Sequence, residues 1–211
     1  MTITKKTRLL PAPFIGTRIK IKLDDPESLT WGIGALTLAE GHDVASIDWG
    51  DGQRDDIATD GSVTHVYAQP GEYEVRISDD IAAIRFSSKS GSDPFRGIYA
   101  QMIREFLTTA RCLNSLTNYC FNYAAKLETI KCASSGLHVL LPLAIGNCTT
   151  LSGGLDLPEV TDIALNSFYG STGLTELHFS AANEAIIKAL PAWEESGGKF
   201  GAVNATVYFD L

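Results

Sequence analysis

Residues 44–77 combine two tight turns with alternating apolar and polar positions, which constrains the fold more than any other part of the chain. Residues 44–49 alternate with the period of a half-buried strand. The Asp-Gly pair at 51–52 has the chemistry of a hairpin turn, because both residue types tolerate a left-handed backbone. The Pro-Gly pair at 70–71 presets a second turn, and residues 71–77 then alternate again. The sequence therefore predicts β-strands drawn around two turns.

The same stretch carries the motif of a known domain family. The motif is an aromatic residue followed by Gly-Asp-Gly, then His-x-Tyr, Pro-Gly-x-Tyr and an alternating strand, and it is matched by Trp49, Gly50, Asp51, Gly52, His65, Tyr67, Pro70, Gly71, Tyr73 and Val75. The stretch resembles a PKD-type domain, an immunoglobulin-like β-sandwich. The resemblance implies a surface or extracellular module that spaces or binds and has no catalysis of its own. We expect Trp49 to be buried, with Tyr67 and Tyr73 in the same core and His65 hydrogen-bonded to a neighbouring loop.

The second half of the chain contains an internal repeat. Strand-like units with a Leu-x-x-Ile pattern lie at residues 81–88, 127–134, 174–181 and, with one residue inserted, 151–158. Buried positions are predicted at Ile130, Leu155 and Leu177, and a large apolar residue precedes three of the copies at Phe121, Ile145 and Phe168. A period in the low twenties is typical of a leucine-rich solenoid, in which stacked coils share one core.

The repeat also resembles a particular subfamily. Its pattern, with Cys148-x-x-Leu151 and Leu157-Pro158, is similar to the BspA-like leucine-rich repeats of bacterial surface proteins, and residues 113–179 carry it best. A PKD-like module joined to this repeat also resembles prophage-encoded and gut-bacterial repeat proteins. Residues 89–112 fit poorly, so we expect irregular structure there, with a helix over residues 99–108.

These patterns together predict an α+β chain that is mostly β. An N-terminal PKD-like β-sandwich over residues 1–79 packs end-on against a short leucine-rich-repeat solenoid over residues 80–211. The solenoid closes with a C-terminal cap, which consists of a helix after Ser180 and a final strand at 206–209.

Charge and hydropathy exclude some partners. The formal net charge is −8, and a nucleic-acid binder needs a basic footprint that this chain lacks. No stretch approaches the roughly 18 apolar residues of a membrane span. Residues 9–15 are too short and too proline-broken for the apolar core of a secretory signal, so we expect no Sec signal. The expected location is a cell surface or a phage particle reached by another route, with accumulation in the cytoplasm left open.

No catalytic residue, cofactor site or metal site is predicted. The spacing of Cys112, Cys120, Cys132 and Cys148 contains no Cys-x-x-Cys pair, and each lies near a periodic apolar residue. We therefore expect four free thiols at core positions. The Asp pairs at 24–25, 55–56 and 79–80 have the oxygen chemistry that calcium prefers, but turn carboxylates are the simpler interpretation.

One set of residues is predicted to form a binding surface. In each repeat strand the residue between two buried ones points outward, and stacking at about 4.8 Å would align these side chains in a ladder. Exposed strand faces of repeat proteins are frequent binding surfaces, although an ordinary solvated face would look the same in sequence. The candidate residues are Arg85, Thr129, Lys131, Asp156, Glu176 and His178.

The predicted function is non-enzymatic recognition or adhesion at a bacterial surface or phage particle, with a protein or glycan as the partner. Two alternatives stay open at this point. The chain could be a structural component that assembles a phage tail or surface layer, or a carbohydrate-binding accessory module. The oligomeric state cannot be derived from the sequence.

Overall fold

A computed structural model describes residues 14–87, 98–132 and 136–211. Within these ranges the chain is mostly β, with a few short helices, as the sequence predicts. The strands are β1 Thr17–Leu23, β2 Thr30–Leu38, β3 Ala45–Asp48, β4 Arg54–Ile57, β5 Gly61–Val66, β6 Gly71–Ile77, β7 Ile81–Arg85, β8 Ile103–Thr108, β9 Ser115–Leu116, β10 Thr129–Lys131, β11 Val139–Leu140, β12 Gly153–Leu157, β13 Asp162–Ile163, β14 Leu174–Phe179 and β15 Thr206–Phe209. The helices are α1 Ile98–Met102, α2 Glu184–Lys188 and α3 Pro191–Glu195, with a 3₁₀ turn at Ala181–Asn183.

Three sheets contain these strands. The first sheet has the order β10-β8-β1-β6-β3-β4, the second has the order β13-β11-β9-β7-β2-β5, and the third has the order β12-β14-β15. Pairing is antiparallel among the early strands, whereas β7, β9, β11 and β13 run parallel. Parallel pairing also joins β8 to β10 and all three strands of the third sheet. Both six-stranded sheets therefore change from antiparallel to parallel pairing along their width.

Alternating side chains turn one face of each early strand toward a shared core. In β1 the residues Ile19, Ile21 and Leu23 are buried, and Lys20 between them is exposed. Aromatic rings connect the two large sheets across this core. Phe86, which follows β7, lies 6.3 Å from Phe106 of β8, measured between ring centroids. A single apolar core thus extends beneath both sheets.

The residues of the turn motif form one connected cluster. Trp49 is fully buried and stacks on His65, with ring centroids 5.0 Å apart and planes 7° from parallel. His65 Nε2 lies 2.8 Å from Asp51 Oδ2, and the hydroxyl of Tyr67 donates to the Trp49 carbonyl at 3.1 Å. The ring of Tyr73 is 4.1 Å from that of Tyr67. The predicted burial of Trp49 and the predicted loop contact of His65 are confirmed.

The large apolar residues that precede three of the repeat copies lie in the core. Phe121, Ile145 and Phe168 are fully buried. The backbone N–H of Phe121 donates to the Ala144 carbonyl at 2.8 Å, and that of Ile145 donates to the Ser167 carbonyl at 2.9 Å. Since each of these turns hydrogen-bonds to the next one, backbone groups that no strand pairs are satisfied between successive turns.

Two expectations for the start of the repeat are wrong. The unit at 81–88 is not in phase with the later units, because β7 belongs to the second sheet. The strand beside β10 is β8, where Phe106 lies opposite Ile130. Residues 103–108 form this strand in place of the expected helix, which is limited to Ile98–Met102. Residues 109–112 of the expected irregular segment form no helix or strand, as expected, and residues 89–97 lie outside the described residues.

The chain closes with the expected cap. Ser180 Oγ accepts a hydrogen bond from the Ala182 N–H at 3.3 Å and starts a 3₁₀ turn. Pro191 begins α3, where its missing N–H is not needed. The final strand Thr206–Phe209 is confirmed, and it pairs parallel to β14.

The predicted domain boundary at residues 79–80 falls between β6 and β7. Strand pairing crosses it, since β7 pairs with β2 on one edge and with β9 on the other. The division into two domains stays a prediction.

Candidate functional site

The six residues of the predicted binding surface lie in three different sheets. Thr129 and Lys131 lie on β10, at the edge of the first sheet. Three more lie on the third sheet, where Asp156 of β12 is in register with His178 of β14, and Glu176 is opposite Gly154. The structure therefore brings five of the six candidates to neighbouring strands.

Arg85 is the exception, and its assignment to this surface is wrong. It lies on β7 in the second sheet, half-buried, with Ala35 as its register partner. Its Nε is buried and has no hydrogen-bond partner among the described residues. The repeat spacing misplaced it because the strands of different sheets all carry apolar residues three positions apart.

A groove separates β10 from β12. These strands approach within 8 Å between Cα atoms, but no backbone pairing joins them in the described part of the chain. An extra strand inserted between them would need about 9.6 Å, twice the strand spacing, so the gap does not accept a strand in the plane of the sheet. It opens instead as a surface groove of about 570 Å³.

Charged side chains of both signs line this groove. Glu128 and Lys131 lie on the β10 side and Asp156 lies on β12, with Leu151 and Pro158 as apolar lining. Neither Lys131 nor Asp156 forms an ion pair or side-chain hydrogen bond with a described residue, although the charge of Asp156 contributes to the raised pKa of His178. Opposite charges thus lie beside apolar surface in one concave site.

His178 has a different role, because its ring is held on both sides. Nδ1 lies 2.9 Å from Asp210 Oδ1, and Nε2 lies 3.3 Å from Glu176 Oε2. The ring stacks on Tyr208, with centroids 4.9 Å apart and planes 12° from parallel. The hydrogen bond to Asp210 is the main cause that raises the pKa of His178, because it favours the protonated ring. His178 therefore links β14 to the end of the chain and is only partly available to a partner.

The Asp pairs are occupied by protein groups. Asp55 Oδ2 accepts a hydrogen bond from Trp49 Nε1 at 2.7 Å, and Asp56 accepts one from Ser46. Asp24 lies within 3.3 Å of the Lys126 ammonium group. Among the residues described, no group of three or more His, Cys, Asp or Glu side chains is placed to hold a metal ion. The helices described are all too short or too polar to cross a membrane.

A second cluster was not predicted by the sequence. Cys112 Sγ lies 3.8 Å from His42 Nε2, and His42 Nδ1 lies 2.7 Å from Asp80 Oδ1. The backbone N–H of Cys112 donates to Asp79 Oδ1 at 2.9 Å. All four cysteines are free thiols, but Cys112 is partly exposed while the other three are buried. The expected core position of Cys112 is therefore wrong, because its side chain turns toward the loop that carries His42.

Comparison of the chain with family models, curated proteins and solved structures finds no match. The groove between β10 and β12 and the cluster of Cys112, His42 and Asp80 are therefore the features that bear on function.

Proposed function

We propose that the chain is a PKD-like β-sandwich whose sheets continue into a short leucine-rich-repeat solenoid. The motif cluster around Trp49 supports the first part. The parallel strands at intervals in the low twenties, with hydrogen-bonded turns between coils, support the second. Both sheets continue across the junction, since β8 pairs with β1 and β10 in the first sheet and β7 pairs with β2 and β9 in the second.

The function proposed for this fold is non-enzymatic recognition at a bacterial surface or phage particle. The observation that carries the proposal is the groove between β10 and β12, where Lys131 and Asp156 form no ion pair or side-chain hydrogen bond within the described chain. Charged groups without internal partners at a concave surface favour a complementary partner and set its orientation. An exposed strand face with no binding role could carry the same charged residues, but it would not form a groove.

The chemistry of the groove favours a protein partner over a glycan. No aromatic side chain is among its lining residues, whereas a sugar ring is usually held on such a side chain. A polypeptide segment can present an acidic residue to Lys131, a basic residue to Asp156 and an apolar residue to Leu151. The protein–protein contact is therefore the first candidate.

The experiment is a binding screen followed by a groove variant. The full chain is screened against bacterial surface proteins, phage structural proteins and a glycan array. The variant with Thr129, Lys131 and Asp156 all changed to Ala keeps the net charge and should lose binding by about tenfold or more. It should keep most of its stability, because Lys131 and Asp156 are exposed and Thr129 is half-buried, and substitutions of exposed side chains typically change stability by about 0.5 kcal/mol or less each.

A matched control removes an opposite-charge pair elsewhere. Glu184 and Lys188 form an exposed ion pair on α2, and changing both to Ala also leaves the net charge unchanged. This variant should bind as the parent does. A partner that binds the groove variant and the parent equally would refute the groove as the recognition site, and a glycan hit would refute the choice of a protein partner.

A further inference from the structure

We propose that Cys112 is a thiol-exchange site, at which His42 acts as general base and small disulfides are the co-substrate. The proposal stands apart from the groove and does not depend on recognition. Its basis is the geometry of three side chains from three different loops: Cys112 between β8 and β9, His42 between β2 and β3, and Asp80 between β6 and β7.

The three groups are in the order that activates a thiol. Asp80 accepts a hydrogen bond at 2.7 Å from His42 Nδ1, which fixes the tautomer and leaves Nε2 as an acceptor. Nε2 then faces the Cys112 sulfur at 3.8 Å, within the sulfur hydrogen-bond range. A nucleophile next to a base that a third group orients is the general arrangement of an activated thiol.

Cys112 needs that base because its surroundings do not ionise it. Burial raises the pKa of the Cys112 thiol, and the nearby Asp79 and Asp80 carboxylates raise it further. The thiol is therefore protonated at neutral pH, and proton transfer to His42 is the available route to a thiolate. Among the described residues, the titratable groups that contact Cys112 or His42 are Asp79 and Asp80, besides the contact of His42 with Cys112 itself.

The step balances with a low-molecular-weight disulfide. His42 takes the thiol proton, and the Cys112 thiolate attacks one sulfur of the disulfide. A new sulfur–sulfur bond forms at Cys112 as the old one breaks, and the departing thiolate takes the proton from His42. Cys112 is oxidised to a mixed disulfide, and one half of the small disulfide is reduced to a thiol.

Hydrolysis at the same cluster is not proposed. Acyl transfer also requires donors for an oxyanion and a pocket for the acyl group. Disulfide exchange needs only an accessible thiolate and an in-line approach. The partial exposure of Cys112, and the complete or nearly complete burial of Cys120, Cys132 and Cys148, makes the exchange selective for one position.

The test measures the exchange rate of the full native chain with glutathione disulfide and with a chromogenic aromatic disulfide. One thiol should react in the native chain, and Cys112→Ser should abolish that reaction. His42→Gln keeps a donor for Asp80 but removes the base, and it should lower the rate at pH 7 by about tenfold or more, since a positioned base contributes about 10²–10⁴-fold. His138→Gln, which changes a histidine bonded to the Glu159 carbonyl, is the matched control and should react as the parent does.

The pH profile separates a base from a structural side chain. The parent rate should level off at a lower pH than that of His42→Gln, whose rate should rise until the thiol itself ionises. Circular dichroism of His42→Gln and His138→Gln checks that the fold is kept. If His42→Gln does not fold, His42→Ala replaces it. Equal rates and equal profiles for parent and variant would reduce Cys112 to an exposed thiol and overturn the proposal, as would reaction at a different cysteine.

Discussion

Trp49→Ala should destabilise the repeat as well as the turn motif, although Trp49 lies in the first quarter of the chain. The reason is that strand pairing and apolar core run from one part into the other. The two large sheets carry strands from both halves, and ring contacts link Trp49 through Trp31 to Phe86 at 6.2 Å and 5.9 Å. A chain of this kind should unfold in one cooperative transition.

The size of the effect follows from burial. Trp49 is fully buried, and a tryptophan buries about 150–250 Å². At about 25 cal/mol per Å² this area corresponds to roughly 4–6 kcal/mol, and aromatic-to-alanine changes in protein cores fall at about 3–5 kcal/mol. We expect about 4 kcal/mol. Because about 1.4 kcal/mol is a factor of ten, the globally unfolded population should rise roughly a thousandfold.

A buried thiol at the far end reports that population. Cys148 is fully buried, and its N–H donates to Ser171 Oγ in the repeat. In a Cys112→Ser background, its alkylation is followed by peptide mapping at urea concentrations well below the midpoints of both chains, where the unfolded state is a small fraction of each. The rate is compared over the range in which it rises with urea, because that dependence identifies global rather than local opening. The alkylation rate should rise in proportion to the unfolded population. Ile47→Val, expected to change stability by about 0.5–1.5 kcal/mol, supplies a milder step should Trp49→Ala not fold.

A result that separates the two halves would refute the reasoning. If circular dichroism shows loss of stability in Trp49→Ala or Ile47→Val while the alkylation rate of Cys148 is unchanged, the repeat unfolds by itself. The predicted boundary at residues 79–80 would then divide two independent folding units, in spite of the strand pairs that cross it.

Two further predictions concern local features. The pKa of His178 is raised in the folded chain. Its contribution to stability should therefore be complete below about pH 6.5, the unfolded value, and should be lost as the pH rises through the folded pKa. Urea midpoints measured from pH 5 to 9 should show this loss, and Asp210→Asn should make the midpoints depend less on pH. Gly50→Ala should lower the free energy of unfolding by about 1–3 kcal/mol, because Gly50 has a φ of 83° and the added Cβ would lie 2.7 Å from the Glu74 carbonyl oxygen. Gly41→Ala is the control in the same thermal-melt comparison and should destabilise less, because Gly41 has a φ of 80° but open space around it. Equal destabilisation by both variants would rule out the contact with Glu74 as a cause.

The turn motif was predictable because its residues contact each other over short chain distances. His65 reaches Asp51 across 14 residues, and Tyr67 reaches Trp49 across 18. Turn chemistry fixes the direction of the chain at both ends of this stretch, so the alternation pattern is enough to place the side chains. Periodicity likewise identified the buried positions of the later coils.

The phase of the first coil was not predictable from the same periodicity. The segments 103–116, 127–140 and 151–163 each contribute short strands to two different sheets, and apolar residues three apart occur in both. Ile84 and Ile130 therefore have the same sequence pattern around them, yet the register partner of Ile84 is Leu116 in the second sheet. The error moved Arg85 onto the wrong surface, since only strand pairing tells the two sheets apart.

The thiol cluster had no sequence signal at all. His42 and Asp80 are 38 residues apart, and Cys112 is 70 residues from His42. The three loops meet because β2 pairs with β7 and β7 pairs with β9. Only the topology of the second sheet brings them together, and no local pattern records it.

The groove lies where the ladder of strands changes from one sheet to the next. The first sheet ends at β10 and the third begins at β12, so no backbone pairing joins these two strands in the described part of the chain. Lys131 and Asp156 are left on opposite sides of this interruption. The copy at 151–158, which supplies β12, is also the one with a residue more than the other copies. Uninterrupted pairing would set the two side chains about one strand spacing apart, where they could pair with each other. The break in the ladder keeps them apart, so this departure from a regular repeat is the strongest reason to look for recognition at this position.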